Sequence, residues 1–255
     1  MIEFNGSKFY NEDCIEVLQS LDDKCIDLIF ADAPYNIGKD FGNKSDKWKN
    51  VDDFIQWCYN WIDECFRVLK DNGTFYIMMS TQYMPYLDIY ISNKYNVLNR
   101  IVWIYDSSGV QAKNKFGSLY EPILMCTKDK KSKYCFNATD ILVDAKTGSE
   151  RQLIDYRKNP PQPYNTKKVP GNVWNFSRVR YRSKEYQNHP TQKPEQLLER
   201  IILASSNVGD VVLDPFSGSF TTCAVALRLN RKCIGIELNK DYFNQGLKRC
   251  HLRDL

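Results

Sequence analysis

Apolar residues fall along this chain in two alternating patterns, short unbroken runs and longer stretches spaced by three and four. Residues 26–30, Ile-Asp-Leu-Ile-Phe, read as a buried strand, and residues 14–21 before them as a short helix. Val51, Phe54, Ile55, Cys58, Trp61, Ile62, Cys65, Phe66 and Leu69 keep helical spacing, with Asn50 as the cap and Asp71-Asn72-Gly73 as the stop. Strands over 74–78, 97–105, 122–127 and 134–136, with a helix around 84–93, continue the alternation. After a break, Pro194 suits a first helical position, and Leu197, Leu198, Ile201 and Ile202 form that helix's buried stripe. Strands over 211–213 and 233–236 follow, each with a helix behind it, the last over 242–251. Strands alternating with helices predict an α/β fold built on a doubly wound sheet.

The break, residues 146–184, has little periodicity and a different charge. Ten of its 39 residues are basic (Lys146, Arg151, Arg157, Lys158, Lys167, Lys168, Arg178, Arg180, Arg182, Lys184) against two acids, Glu150 and Asp155. Tyr156, Tyr164, Trp174, Phe176 and Tyr181 are interleaved with them, the composition of a nucleic-acid surface. The whole chain, at 255 residues and 43% hydrophobic, suits one substantial domain; its net charge of +4 matters only through this clustering. Nine cysteines stand singly, with no Cys-x-x-Cys pair and only His189 and His251 to help, so a metal site is not expected. That odd count and the lack of a signal peptide predict a reducing cytosol. No apolar run approaches the roughly 20 residues of a membrane span.

Two turns carry candidate chemistry. Asp214-Pro215-Phe216-Ser217-Gly218-Ser219-Phe220-Thr221-Thr222 follows a strand and opens a helix, placing backbone N–H groups where a nucleotide-like ligand can lie. Glu237, ending the next strand, stands where a carboxylate can accept from both ribose hydroxyls. With Phe220 in place of a second glycine and no Gly-Lys-Ser/Thr, the turn disfavours a pyrophosphate, because the bulky ring would restrict close approach; S-adenosylmethionine is favoured over NAD or ATP.

Asp32-Ala33-Pro34-Tyr35 ends the strand over 26–30. An exocyclic amine on a base is a poor nucleophile until two acceptors draw its nitrogen toward tetrahedral geometry. The Asp32 carboxylate and the carbonyl of Ala33 are candidate acceptors, the latter stiffened because a residue before proline is confined to extended backbone. Tyr35 can stack on the base, worth ~1–3 kcal/mol. The loop over residues 36–50, with Lys39, Phe41, Lys44, Lys47 and Trp48, is placed to close over a base rotated out of a duplex.

In this order the motifs resemble the β class of DNA amino-methyltransferases, in which an Asp-Pro-Pro-Tyr motif precedes the recognition region and the cofactor motif follows it. Long strings carry the likeness: residues 105–113 (YDSSGVQAK), 155–164 (DYRKNPPQPY) and 188–194 (NHPTQKP). The resemblance implies a Rossmann-like methyltransferase fold with circularly permuted motif order and an inserted recognition region. Its segments would be a catalytic part over 1–137, a DNA target-recognition insertion over 138–187 and an S-adenosylmethionine-binding part over 188–255. Asp32, Ala33, Pro34 and Tyr35 would hold an adenine. Asp214, Phe216, Gly218, Ser219, Thr222 and Glu237 would bind S-adenosylmethionine, with Thr191 and Lys193 near its methionine carboxylate and Asp13 near its adenine. An initial Asp rather than Ser favours adenine N6 over cytosine N4, and enzymes of similar sequence are associated with ATGCAT. The expected partner is double-stranded DNA; a homodimer is compatible with the sequence, and a restriction partner is left undetermined. One departure is Ala33, where the class has proline: the acceptor stays and a stiffening ring goes. Competing readings are methylation of RNA, cytosine N4 or a protein amide, and a DNA-binding protein that has lost catalysis.

Overall fold

The structure, a computed structural model, describes residues 1–39, 41, 46–105, 113–114 and 116–250. Residues 106–112 of the first long string, Lys44 of the loop and His251 lie outside the described residues.

The first half of the chain contains β1 (Ile2–Phe4), β2 (Ser7–Tyr10), α1 (Cys14–Ser20), β3 (Ile26–Asp32), α2 (Val51–Val68), β4 (Leu69–Met78), α3 (Met84–Lys94), β5 (Asn96–Ile104) and β6 (Tyr120–Thr127). The two-residue strand β7 (Val143–Asp144) precedes the basic stretch, which has three more, β8 (Ile154–Asp155), β9 (Gln162–Pro163) and β10 (Lys167–Lys168), and then β11 (Val173–Asn175). The chain continues through α4 (Glu195–Ser205), β12 (Val211–Asp214), α5 (Thr221–Arg228), β13 (Lys232–Ile236) and α6 (Lys240–Arg249). Nine strands form one mixed sheet in the order β1-β2-β13-β12-β3-β4-β6-β5-β11. From β2 to β4 neighbouring strands are parallel; β6 runs antiparallel between β4 and β5, and β11 is parallel to β5.

Helices cover both faces. Phe54, Trp61 and Leu87 of α2 and α3 pack with Ile29 and Ala31, while Leu198, Ile202 and Val225 of α4 and α5 pack with Leu28 and Phe30. Burial on both sides explains why β3 reads as an unbroken apolar run rather than an alternating one. Local signals fix the helix starts. Asn50 accepts from the Asp52 amide at 2.9 Å, and Asp52 and Asp53 occupy the positive end of α2.

Several expected elements differ. Helix α2 ends at Val68 and β4 begins at Leu69, so Asp71-Asn72-Gly73 lies within a strand rather than stopping a helix. Pro194 is the cap of α4, one residue before its first turn. Residues 134–136 form no strand; beside them Asn137 donates from Nδ2 to the Leu203 and Ser206 carbonyls, satisfying the orphaned end of α4. Cys223 and Cys233, read as single thiols, are joined in a disulfide between α5 and β13. No helix among the described residues is long and apolar enough to cross a membrane.

Strands β3 and β12 are neighbours, yet the chain leaves them in opposite directions, β3 through α2 to β4 and β12 through α5 to β13. The loops after them diverge and open a crevice at their carboxyl ends.

Candidate active site

That crevice is a cleft which, with its mouth, encloses about 1260 Å³, and all thirteen residues singled out in the sequence line it: Asp13, Asp32, Ala33, Pro34, Tyr35, Thr191, Lys193, Asp214, Phe216, Gly218, Ser219, Thr222 and Glu237.

At the glycine turn, Gly218 has φ +48°, and a Cβ there would lie 2.9 Å from Nε2 of His189. The turn therefore needs glycine both for its backbone and for the imidazole packed on it. The Gly218 amide donates to Oε2 of Glu237 at 2.8 Å, tying the turn to the end of β13, and the Asn239 amide donates to Oε1 at 2.7 Å. Asp214 accepts from the Phe216 amide at 3.0 Å. Burial pushes the carboxyls of both Asp214 and Glu237 up to about 7. His189 is driven down to about 3 by burial and by Lys193 and Lys39, so its ring is neutral. Asp13 caps α1, accepting from the Ile15 amide at 2.8 Å, while lining the cleft.

The Phe220 ring points away from the cleft. It is wholly buried between Phe9 and Phe243, with centroids 5.9 Å away in each case, and a Cβ on Gly246 of α6 would run into it. The expectation that this ring restricts approach to the turn is overturned, because φ +58° at Phe220 turns the side chain into the core. The charges of the lining carry the argument instead. Glu12, Asp13, Asp32, Asp46, Asp214 and Glu237 face only Lys39 and Lys193 among the described lining residues. An acidic lining of this kind disfavours a pyrophosphate, whose charge would resist ionisation of these carboxyls, and suits a cationic sulfonium bearing hydroxyl donors, which would favour it.

At the other end, the Lys193 ammonium lies 2.6 Å from Oδ2 of Asp32 and 3.5 Å from Oε2 of Glu121. The Tyr35 hydroxyl lies 2.7 Å from Oδ1 of Asp32 and 2.9 Å from Oε2 of Glu121. Arg178, from the basic stretch, lies 3.6 Å from Oε1 of Glu121 and stacks 3.9 Å above the Tyr105 ring. Burial raises the Asp32 carboxyl despite Lys193. Burial acts on Glu121 in the same sense, but Lys193, the Tyr35 hydroxyl and Arg178 outweigh it and hold Glu121 below the usual range. Glu121 was not foreseen; an acid at the head of an otherwise apolar strand was its one sequence signal.

The loop after Tyr35 is folded around Asp46, whose carboxylate accepts from the amides of Asn36, Ile37 and Lys39. Lys39, Phe41 and Trp48 line the cleft, and the Phe41 carbonyl accepts from Asn239 at 2.7 Å. In the basic stretch all ten cations are exposed, but the aromatics divide. Tyr156 and Tyr181 face solvent, whereas Trp174 is buried and Phe176 half-buried, with Arg200 over both rings. Among the described residues no group of three or more His, Cys, Asp or Glu is placed to hold a metal ion.

Comparison with known proteins matches residues 26–248 to the N6_N4_Mtase family, described as DNA methylase. The DNA adenine methyltransferase YhdJ of Escherichia coli (strain K12) is 61% identical over 237 residues, 93% of this chain and 80% of that protein. The type II methyltransferase M.HpaI of Haemophilus parainfluenzae is 40% identical over 244 residues, 92% of this chain and 71% of its own. Among solved structures, the M1.HpyAVI–SAM complex superposes with a TM-score of 0.63 at 27% identity, over 95% of this chain and 98% of that one. The cytosine-N4-specific PvuII DNA methyltransferase, with a TM-score of 0.69 at 17% identity over 97% of this chain and 87% of that one, shares the fold.

Proposed function

The chain belongs to the N6_N4_Mtase family of DNA methylases, and from that premise we propose that it transfers a methyl group from S-adenosylmethionine to N6 of an adenine rotated out of duplex DNA. The observation that carries this reading is the meeting of two motifs in one cleft, the Asp32 corner at the end of β3 and the Asp214 turn at the end of β12. When bound, the cofactor supplies an electrophilic methyl group on sulfur. The chain supplies the rest. Asp214, Gly218 and Glu237 would hold the nucleoside end, with Phe216 as its apolar neighbour; Trp57 and Trp61 back the Phe216 ring with centroids 5.7 and 5.1 Å away. Asp32 and the Ala33 carbonyl accept the two N–H bonds of the amine, aiming its lone pair, while positioning and electrostatics lower the barrier.

Lys193 has two roles in this scheme. Its ammonium pairs with Oδ2 of Asp32 at 2.6 Å, and it is the cation that would hold the methionine carboxylate of the cofactor, a contact that would free Oδ2 for the amine. The exposed cations of residues 146–184 hold the DNA backbone, and rotating the base out costs a few kcal/mol, offset by stacking on Tyr35. ATGCAT is the proposed site, on the family resemblance alone.

Labelled methyl transfer to duplex DNA tests the reading. Asp32→Ala should abolish incorporation while S-adenosylmethionine still binds; equal incorporation by this variant would sink the mechanism. Digesting the product to nucleosides distinguishes N6-methyladenine from N4-methylcytosine, and mapping modified adenines tests the site.

A further inference from the structure

Methylation of an amine releases a proton, and the cleft contains a route for it. The nitrogen forms a bond to the methyl carbon, the carbon–sulfur bond breaks with its electron pair going to sulfur, and the nitrogen sheds one proton. Asp32, on the reading above, is the acceptor nearest that proton. It is also enclosed, because Lys193 covers Oδ2 and Tyr35 covers Oδ1.

The phenol oxygen of Tyr35 has two carboxylate oxygens within hydrogen-bond distance, Oδ1 of Asp32 at 2.7 Å and Oε2 of Glu121 at 2.9 Å. A phenol has one proton to donate, so only one of these contacts can be a full donation from Tyr35. The other is a close oxygen–oxygen approach across which a proton can pass once a carboxyl group carries one. Two acids bridged by one hydroxyl are therefore arranged as a short proton chain, Asp32 to Tyr35 to Glu121.

We propose that Tyr35 and Glu121 form the exit for the proton released by the amine, with Asp32 as its entry. With the amine's proton on the Asp32 carboxyl, a turn of that carboxyl presents it to the phenol, and Asp32 passes it to the phenol oxygen as the phenol's own proton moves to Oε2 of Glu121. One proton leaves the amine, one arrives on Glu121, and Asp32 and Tyr35 end as they began. Glu121 then discharges toward the half-exposed Arg178, contributed by the basic stretch. The charges facing Glu121 fit this role. Lys193 and Arg178 stabilise its resting anion, Lys39 adds a more distant cation, and Asp32, Tyr35 and Tyr105 are its other ionisable neighbours among the described residues. Those two close cations also hasten loss of the stored proton, resetting the chain for the next turnover.

The proposal rests on Asp32 receiving the amine, so the experiment separates the two ideas. Single-turnover methyl transfer is measured from pH 5.5 to 9 (about 0.5-unit steps) for the unaltered protein, Glu121→Gln, Tyr35→Phe, the double variant and Asp32→Ala. Folding is checked by circular dichroism, and S-adenosylmethionine and DNA binding are measured separately. Glu121→Gln keeps the shape but cannot store a proton; Tyr35→Phe keeps the stacking ring but lacks the bridging oxygen. Each should slow transfer by about tenfold or more with binding within about threefold of normal. The double variant should be as slow as the slower single variant, because both interrupt one path. Glu121→Gln should also shift the acidic limb of the pH–rate profile to lower pH, since Asp32 loses a neighbouring negative charge.

Unimpaired transfer by either single variant, or losses that multiply in the double variant, would overturn the relay. If Glu121→Gln does not fold, Tyr35→Phe alone decides. An inactive Asp32→Ala beside unimpaired single variants removes only the relay, whereas an active Asp32→Ala removes the reading beneath it.

Discussion

Cofactor affinity should depend on pH through Glu237. Its carboxyl, ordinarily near 4.5, is pushed up to about 7 by burial, although the Gly218 and Asn239 amides favour the anion. Hydroxyl donors and a cationic sulfonium also favour the anion, so binding must lower this pKa, and by linkage affinity rises as Glu237 ionises. With a pKa of about 7, Glu237 is roughly nine-tenths ionised at pH 8 and roughly one-tenth at pH 6, which predicts about a tenfold weaker Kd at pH 6. Asp214, also pushed up to about 7, extends this toward about a hundredfold if its charge is coupled to binding in the same way. Stability follows with the opposite dependence. Both folded pKa values lie above the unfolded ones, so the ligand-free fold loses stability as pH rises from about 4 through 7, and bound cofactor restores it. Titration calorimetry with S-adenosylmethionine at pH 6, 7 and 8 and constant ionic strength checks the first statement. Thermal melts with and without cofactor check the second, with a larger rise in Tm at pH 8 than at pH 6. Glu237→Gln should bind weakly with a flatter slope. A Kd that is unchanged or tighter at pH 6 would refute the reasoning.

Phe220→Ala should cost about 3–5 kcal/mol of stability, the range for truncating a buried aromatic, with cofactor affinity changing little among molecules that remain folded; denaturant melts and calorimetry separate the two. Lys158→Ala should weaken DNA binding evenly across sequences and reduce the slope of log K against log salt by about 0.9, measured by fluorescence anisotropy. Arg157→Ala should change that slope less, because the guanidinium is engaged by Asp155 at 2.8 Å.

The parts of the fold legible in the sequence were those whose physics is local. Helix α2 announces itself by period and cap, and β3 by an apolar run that only burial on two faces explains. The hairpin of β1 and β2 was passed over because it is short and partly exposed at the sheet edge, giving no long apolar signal. Residues 134–136 have the β-forming composition of a strand, yet the neighbouring Asn137 finds the open end of α4 instead. Phe220 was misjudged for a related reason. Its place in a glycine motif suggested the cleft, whereas its rotation into the core depends on Gly246, remote in sequence.

The charge distribution links these local misses to the larger arrangement. Counted along the chain, +4 is close to neutral, but the fold separates it into an exposed basic stretch and a cleft lined, among the described residues, by six acids against two lysines. The first attracts a polyanion and the second repels phosphate, so the field admits DNA to the surface while favouring entry of a neutral base alone. Arg178 and Glu121 lie where these regions meet, one contributed by the basic stretch and the other by β6. Neither stands out in sequence, because an arginine among ten cations and a glutamate at a strand start become a pair only after β11 joins β5 at the sheet edge. That same pairing brings Arg178 of the basic stretch to Glu121, so the strand that completes the sheet also brings the surface proposed to hold DNA toward the residue proposed to receive the amine.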